Sequence, residues 1–248
     1  MINETVVRLS NKRFAAQDAL ALPNSLQSTA YTPYQNSFDI HLGELLSTLQ
    51  RPFWRFKRAL DVPVALAMLV ILLPILLVVA MFVAASLGFP IMFWQRRPGL
   101  HGKPFHLYKF RTMKQSYTPD GRGLTDEECL SWASRFLRQT RLDELPQLFN
   151  ILRGEMSFVG PRPLLPRDQP EAYSARLLVR PGLTGWAQVV GGRNISAQDK
   201  LALDISYLRH ASVLFDLEIL ARTVLVIICG EKIKRQFIER AWQEIKMS

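Results

Sequence analysis

Two adjacent acids, Asp143 and Glu144, stand in the stretch RQTRLDELPQLFNILRGEMSFVGPRP, Arg138 to Pro163, between arginines and just ahead of Pro146. Neighbouring side chains on a helix diverge by about 100°, so the pair is not a facing dyad unless the backbone is irregular. The two carboxylates can instead take different roles around one phosphate. A carboxylate is a competent nucleophile toward phosphorus, and hard acids beside phosphates suit Mg²⁺. Arg138, Arg141 and Arg162 supply the positive charge such an anion site needs. The alternative is structural: Asp143 caps a helix, and Pro146 falls at its third position, where a missing N–H is harmless.

The elements that must hold this pair belong to a chain of 248 residues, enough for one sizeable core. Its 31 Lys and Arg against 21 Asp and Glu favour an anionic partner, whether nucleic acid, anionic lipid or a phosphorylated small molecule. Cys129, Cys229 and four histidines form no ligand pattern, which argues against a zinc site and for a reducing compartment.

From Val62 to Gln95 the chain carries no charged side chain, and Lys57, Arg58, Arg96 and Arg97 flank the run. That reads as a membrane segment, and its position far from the start excludes a signal peptide. Leu73 and Pro74 divide it. Twelve apolar residues before Pro74 reach roughly 18 Å at ~1.5 Å per residue, short of a ~30 Å hydrocarbon core. With basic residues at both ends, the expectation is a re-entrant helix-break-helix that enters and leaves on the cytoplasmic face. A kinked ordinary spanning helix is the alternative. Asp61 is placed to pair with Lys57 or Arg58, or to cap the helix.

Residues 1-50 read as a flexible leader, 51-95 as the membrane hairpin and 96-248 as a cytoplasmic catalytic domain. RRPGLHGKP separates two apolar runs and predicts a small basic β-hairpin, whose Arg96, Arg97, Lys103, Lys109 and Arg111 face anionic substrates or anchor the domain. Thr125 and Glu128 form a capping box, and a second helix is expected from about Leu142 to Leu152. SFVGPRPLLP and VRPGLTGWAQVVGGRN read as irregular loops that bring Arg162, Arg180 and Arg193 to phosphates. The tail from Ala211 suits helices on a membrane surface or the core. The expected class is α+β, mostly helical, with interfacial amphipathic helices.

FKRALD, the apolar run broken at Leu73 and Pro74, QRRPGLHGKPFHLYKFRTM, RLDELPQLFNILRGEMSFVGPRPLL, RPGLTGWAQV with GRN, and LDISYLRHASVLFDLEIL follow one another from Arg55 to Leu220. In this order the chain resembles the bacterial sugar transferase family, the monotopic phosphoglycosyl transferases. The resemblance is to their short, catalytic-core form, without the additional spanning helices and nucleotide-fold domain of long members. It implies transfer of a sugar 1-phosphate from a UDP-sugar to undecaprenyl phosphate. Asp143 would be the nucleophile, Glu144 would support Mg²⁺, and Arg138, Arg162 and Arg180 would contact phosphates or nucleotide. It also implies membrane lipids as partners, a bacterial inner-membrane location on the cytoplasmic face, and no nucleic acid, with a homodimer left open. GGRNISAQDK departs from the family pattern in lacking a tryptophan after RN. The rival readings are a membrane-anchored nucleic-acid module, favoured by the basic charge, and a non-enzymatic partner in polysaccharide assembly.

Overall fold

A computed structural model describes residues 48–113, 131–165, 171–192 and 195–246. Most of the leader, the capping box at Thr125 and Glu128, and Arg193 lie outside the described residues.

Helix α1, Pro52–Leu87, opens on a proline in its first turn and ends where Gly88 adopts φ 74. It is the one helix among the described residues long and apolar enough to cross a membrane. Val70, Ile71, Leu77, Val78 and Met81 are all exposed, as a lipid-facing surface would be. Helical backbone runs through both Pro63 and Pro74. The expected break at Pro74 is therefore not a non-helical interruption: each proline removes one hydrogen bond and the helix absorbs the loss. Lys57 pairs with Asp216 rather than with Asp61, because tertiary contact offers it a buried carboxylate.

The hairpin is present, with β1, Met92–Pro98, antiparallel to β2, Pro104–Phe110, and Trp94 opposite Tyr108. A short α2, Trp132–Thr140, is capped by Ser131 and leads into a 3-10 turn at Leu142–Glu144, followed by α3, Gln147–Arg153. Asn150 on α3 is fully buried: its amide donates to the His106 carbonyl and to Glu155, and its oxygen accepts from the Tyr108 N–H. This clamps the hairpin to α3.

The two proline- and glycine-rich stretches are not irregular. They contain parallel strands β3, Ser157–Val159, and β4, Gly182–Thr184, with a 3-10 segment at Glu171–Leu178 between them and α4, Trp186–Val190, after them. Gly160 N–H donates to the Thr184 carbonyl and Gly182 N–H to the Pro161 carbonyl, each at 2.9 Å. The glycines are there because the backbones touch: a Cβ on Gly182 would stand 2.1 Å from the Gly160 nitrogen.

Helix α5, Ala197–His210, is mostly buried, and α4 and the C-terminal α7, Arg235–Lys246, pack against it. Between them α6, Val213–Cys229, leaves Leu214, Leu217, Val224, Leu225 and Ile228 exposed, in keeping with an interfacial helix. The fold is thus α+β and mostly helical.

Gly182→Ala forces a clash between two backbones that no side-chain rotation relieves. Its cost should exceed about 4 kcal/mol, read as loss of a cooperative thermal transition in detergent or nanodiscs, whereas Gly230→Ala, with open space around it and only the strain of its φ 80 to bear, should cost about 1–2 kcal/mol and still fold.

Candidate active site

The acid pair sits on the 3-10 turn, not in the body of a helix. Arg141, which joins α2 to this turn, adopts the left-handed conformation at φ 56 and ψ 18. An arginine there is strained, and the reversal directs Asp143 and Glu144 into the protein. Both are buried, at 7% and 8% exposure.

Their surroundings differ. Glu144 Oε1 accepts from Lys109 Nζ on β2 and from Arg162 Nη2 after β3, both at 2.9 Å, and Arg141 Nη1 lies 3.7 Å from Oε2. Burial by itself would raise the Glu144 carboxyl, but Arg162, Lys109 and Arg141 together hold it well below the usual carboxylate range. Asp143 makes no ion pair within 4 Å among the described residues, although Lys109 and Arg138 lie near enough to act on it through space. Burial, reinforced by the negative charge of Glu144, raises Asp143 from 3.8 to about 6. One carboxylate is locked in its charged form, and the other is held near its titration point with open lone pairs.

The cations are themselves braced. The Arg162 carbonyl accepts from Arg176 Nη2 at 2.9 Å, and Arg176 forms a buried ion pair with Asp204 on α5 at 2.7 Å. Arg138 Nε donates to Thr112 Oγ1 at 3.1 Å, which fixes it beside Asp143 without bonding to it. Around Arg162, Pro98, Gly99, Pro161, Pro163 and Val179 line a small open cleft.

The structure brings Arg138, Lys109 and Arg162 to the acids and takes two predicted residues elsewhere. Arg111 donates to the Leu87, Gly88 and Phe89 carbonyls, closing the end of α1. Arg180 Nε donates to the Gly154 carbonyl at 2.9 Å, beside Arg58, which takes the Ile151 and Leu152 carbonyls. Arg58 and Arg180 thus cap the C-terminal end of α3, while the acids lie before its N-terminal end. Asp61 is buried and acts electrostatically on Arg180 and Asp216 without an ion pair to Lys57 or Arg58. Sequence reasoning missed Asn150, Arg176, Asp204 and Glu231. None has a local motif; each is found only through contacts between distant segments.

For a divalent cation, Asp143 and the Glu144 Oε2 oxygen, which carries no hydrogen bond among the described residues, are the two carboxylates that would serve. That fits Mg²⁺, which takes one or two carboxylates and completes its sphere with phosphate oxygens and water. Among the described residues no group of three or more acids, histidines or cysteines would hold a metal alone.

A family model described as "Bacterial sugar transferase" matches residues 53–230. An uncharacterized sugar transferase, EpsL, of Bacillus subtilis (strain 168) is 43% identical over 72% of this chain and 90% of its own length. A UDP-glucose:undecaprenyl-phosphate glucose-1-phosphate transferase of Caulobacter vibrioides is 40% identical over 68% of each chain. A UDP-N-acetylgalactosamine-undecaprenyl-phosphate N-acetylgalactosaminephosphotransferase of Aeromonas hydrophila is 34% identical over 77% of this chain, which spans 48% of that longer protein.

Asp143→Asn should stabilise the metal-free protein above pH 6. A carboxyl shifted from 3.8 to about 6 ionises at a cost ~3 kcal/mol greater in the folded than in the unfolded chain. The folded form favours the proton, so this penalty is absent below pH 4, grows from pH 4 to 6 and is complete above. Thermal melts in chelator should therefore show the variant ahead of wild type at pH 7.5, with the gap closing at pH 4.5.

Proposed function

The chain belongs to the bacterial sugar transferase family, and from that premise we propose that it moves a sugar 1-phosphate from a UDP-sugar to undecaprenyl phosphate, releasing UMP. Such a step begins assembly of a lipid-linked glycan, as in exopolysaccharide synthesis. The observation that carries this reading is the asymmetry of the acid pair: Glu144 gathers the cations and Asp143 is left buried, unpaired and close to them.

In the first half-reaction an Asp143 oxygen attacks the β-phosphorus, to which the sugar is attached. The bond from that phosphorus to the bridging oxygen breaks, UMP departs, and a phosphosugar remains on Asp143. In the second, an oxygen of undecaprenyl phosphate attacks the same phosphorus and releases the Asp143 carboxylate, giving the lipid diphosphate sugar. Desolvation makes Asp143 the better nucleophile once ionised. Arg162 and Lys109, held in place by Glu144, face the developing phosphate charge. Arg138, held by Thr112, contributes from the other side. Asp143 and Glu144 would hold Mg²⁺, which would neutralise charge on the leaving phosphate.

The location follows from the same family and from α1. We place the catalytic body on the cytoplasmic face of a bacterial inner membrane, with both ends of α1 on that side. Support comes from the ties at its two ends: near the start Lys57 and Arg58 bond to α6 and α3, and near the finish Phe82 meets Trp132 and Phe136 while Arg111 holds residues 87 to 89.

Protein in nanodiscs with undecaprenyl phosphate, Mg²⁺ and a panel of UDP-sugars should release UMP with one donor, and Asp143→Ala should lower that rate by about 10⁴-fold or more. For wild type, the rate should fall at acid pH as Asp143 takes its proton, at a lower pH in saturating Mg²⁺ than the value of about 6 of the metal-free carboxyl. In right-side-out and inverted vesicles, cysteines placed at Leu49 and Leu100 should label from the same side; labelling from opposite sides would return α1 to an ordinary spanning helix.

A further inference from the structure

Arg141 has two carboxylates to choose between. Glu144 is its neighbour three residues along and the more deeply buried, with 10% of its side chain exposed, so the lower dielectric should favour that pair. Yet Arg141 Nη1 stays 3.7 Å from Glu144 Oε2, beyond hydrogen-bond reach, while its Nη2 donates to Glu231 Oε1 at 3.3 Å. Glu231 comes from the turn after α6, where Gly230 ends the helix at φ 80 and Lys234 N–H bonds to the Val190 carbonyl. A second observation shows that room is made for it. Gly192 adopts φ 65, and a Cβ there would lie 2.6 Å from Glu231 Oε2. The field of Glu231 also reaches Arg162, whose charge it helps to hold.

We propose that Glu231 is a positioning residue for the phosphoryl-transfer site: it draws Arg141 off Glu144 and keeps Glu144 Oε2 open beside Asp143. Oε1 of Glu144 already carries Lys109 and Arg162. A third cation closing on Oε2 would leave the carboxylate no oxygen with which to hold a divalent cation beside the substrate phosphates. Glu231 prevents this by competing for the same guanidinium, and leaves Arg141 with N–H groups turned toward an incoming anion. Loss of Glu231 therefore frees Arg141 to close on Glu144. This inference rests on the transferase reading for its kinetic consequence, but its geometric consequence does not.

Two measurements test it. In a structure of the unliganded Glu231→Gln protein in nanodiscs, Arg141 should close to hydrogen-bond distance of Glu144 Oε2; an Arg141 that stays where it is overturns the proposal, whatever reaction the protein performs. In UMP release, Glu231→Gln should lower kcat/KM about tenfold and Glu231→Asp less. The same Glu231→Gln change in an Arg141→Met background should cost clearly less. An equal loss in both backgrounds would mean that Glu231 does not work through Arg141, and the proposal falls. Absence of UMP from wild type across all donors would remove the transferase reading and leave the structural measurement to decide this one.

Discussion

The arrangement depends on one buried carboxylate. Glu144 is almost out of water, and an isolated charge there would be too costly for the fold to keep. Three segments answer it: Lys109 from the hairpin, Arg141 from the end of α2 and Arg162 from the crossing after β3. Each is fixed by something behind it, namely Asn150 for the hairpin, Glu231 for Arg141, and Arg176 with Asp204 for Arg162. A buried ion cluster of this kind adds little net stability compared with apolar packing. What it gives is geometry, since each of the three segments has one position in which the charge is matched.

Asp143 owes its character to the same cluster. Because Glu144 takes the direct contacts, its neighbour feels the cations only at a distance, together with full burial and one adjacent negative charge. Two acids one residue apart thus end on opposite sides of their ordinary range. Identical neighbours could not divide the labour between holding cations and the attack on phosphorus proposed for Asp143; the difference is made by which oxygens the cations reach.

Much of this was legible in the sequence where the signal is local. The hairpin follows from RRPGLHGKP between two apolar runs, α1 from its uncharged length, and the acids from their isolation among arginines. The β3 and β4 strands were read as loops because proline and glycine usually break strands; here Gly160 and Gly182 serve a close backbone crossing, which only their partner reveals. Arg111 and Arg180 were assigned to phosphates by residue type; both guanidiniums also hold backbone carbonyls, a use that residue type alone does not reveal. Glu231 gave no signal at all, as it lies in a basic segment far along the chain from the acids it serves. The helix at Leu142 to Leu152 was right in kind but begins only at Gln147, since Asp143 and Glu144 need the tighter turn set by Arg141.

The membrane helix is wired into the site at its root. Lys57 pairs with Asp216, Asp216 Oδ1 lies 2.9 Å from the Tyr207 hydroxyl, and that hydroxyl also faces the Val159 carbonyl at 3.3 Å, three residues before Arg162. Arg58, one residue on, holds the end of α3 opposite the acid turn. The start of α1 therefore touches both halves of the ion cluster through one or two rigid contacts. A lipid-linked phosphate has its depth set by the bilayer, so a site that must meet it needs a fixed height above the same bilayer. Anchoring the acid turn and the Arg162 strand to the base of the apolar helix supplies that height without any contact to the lipid chain.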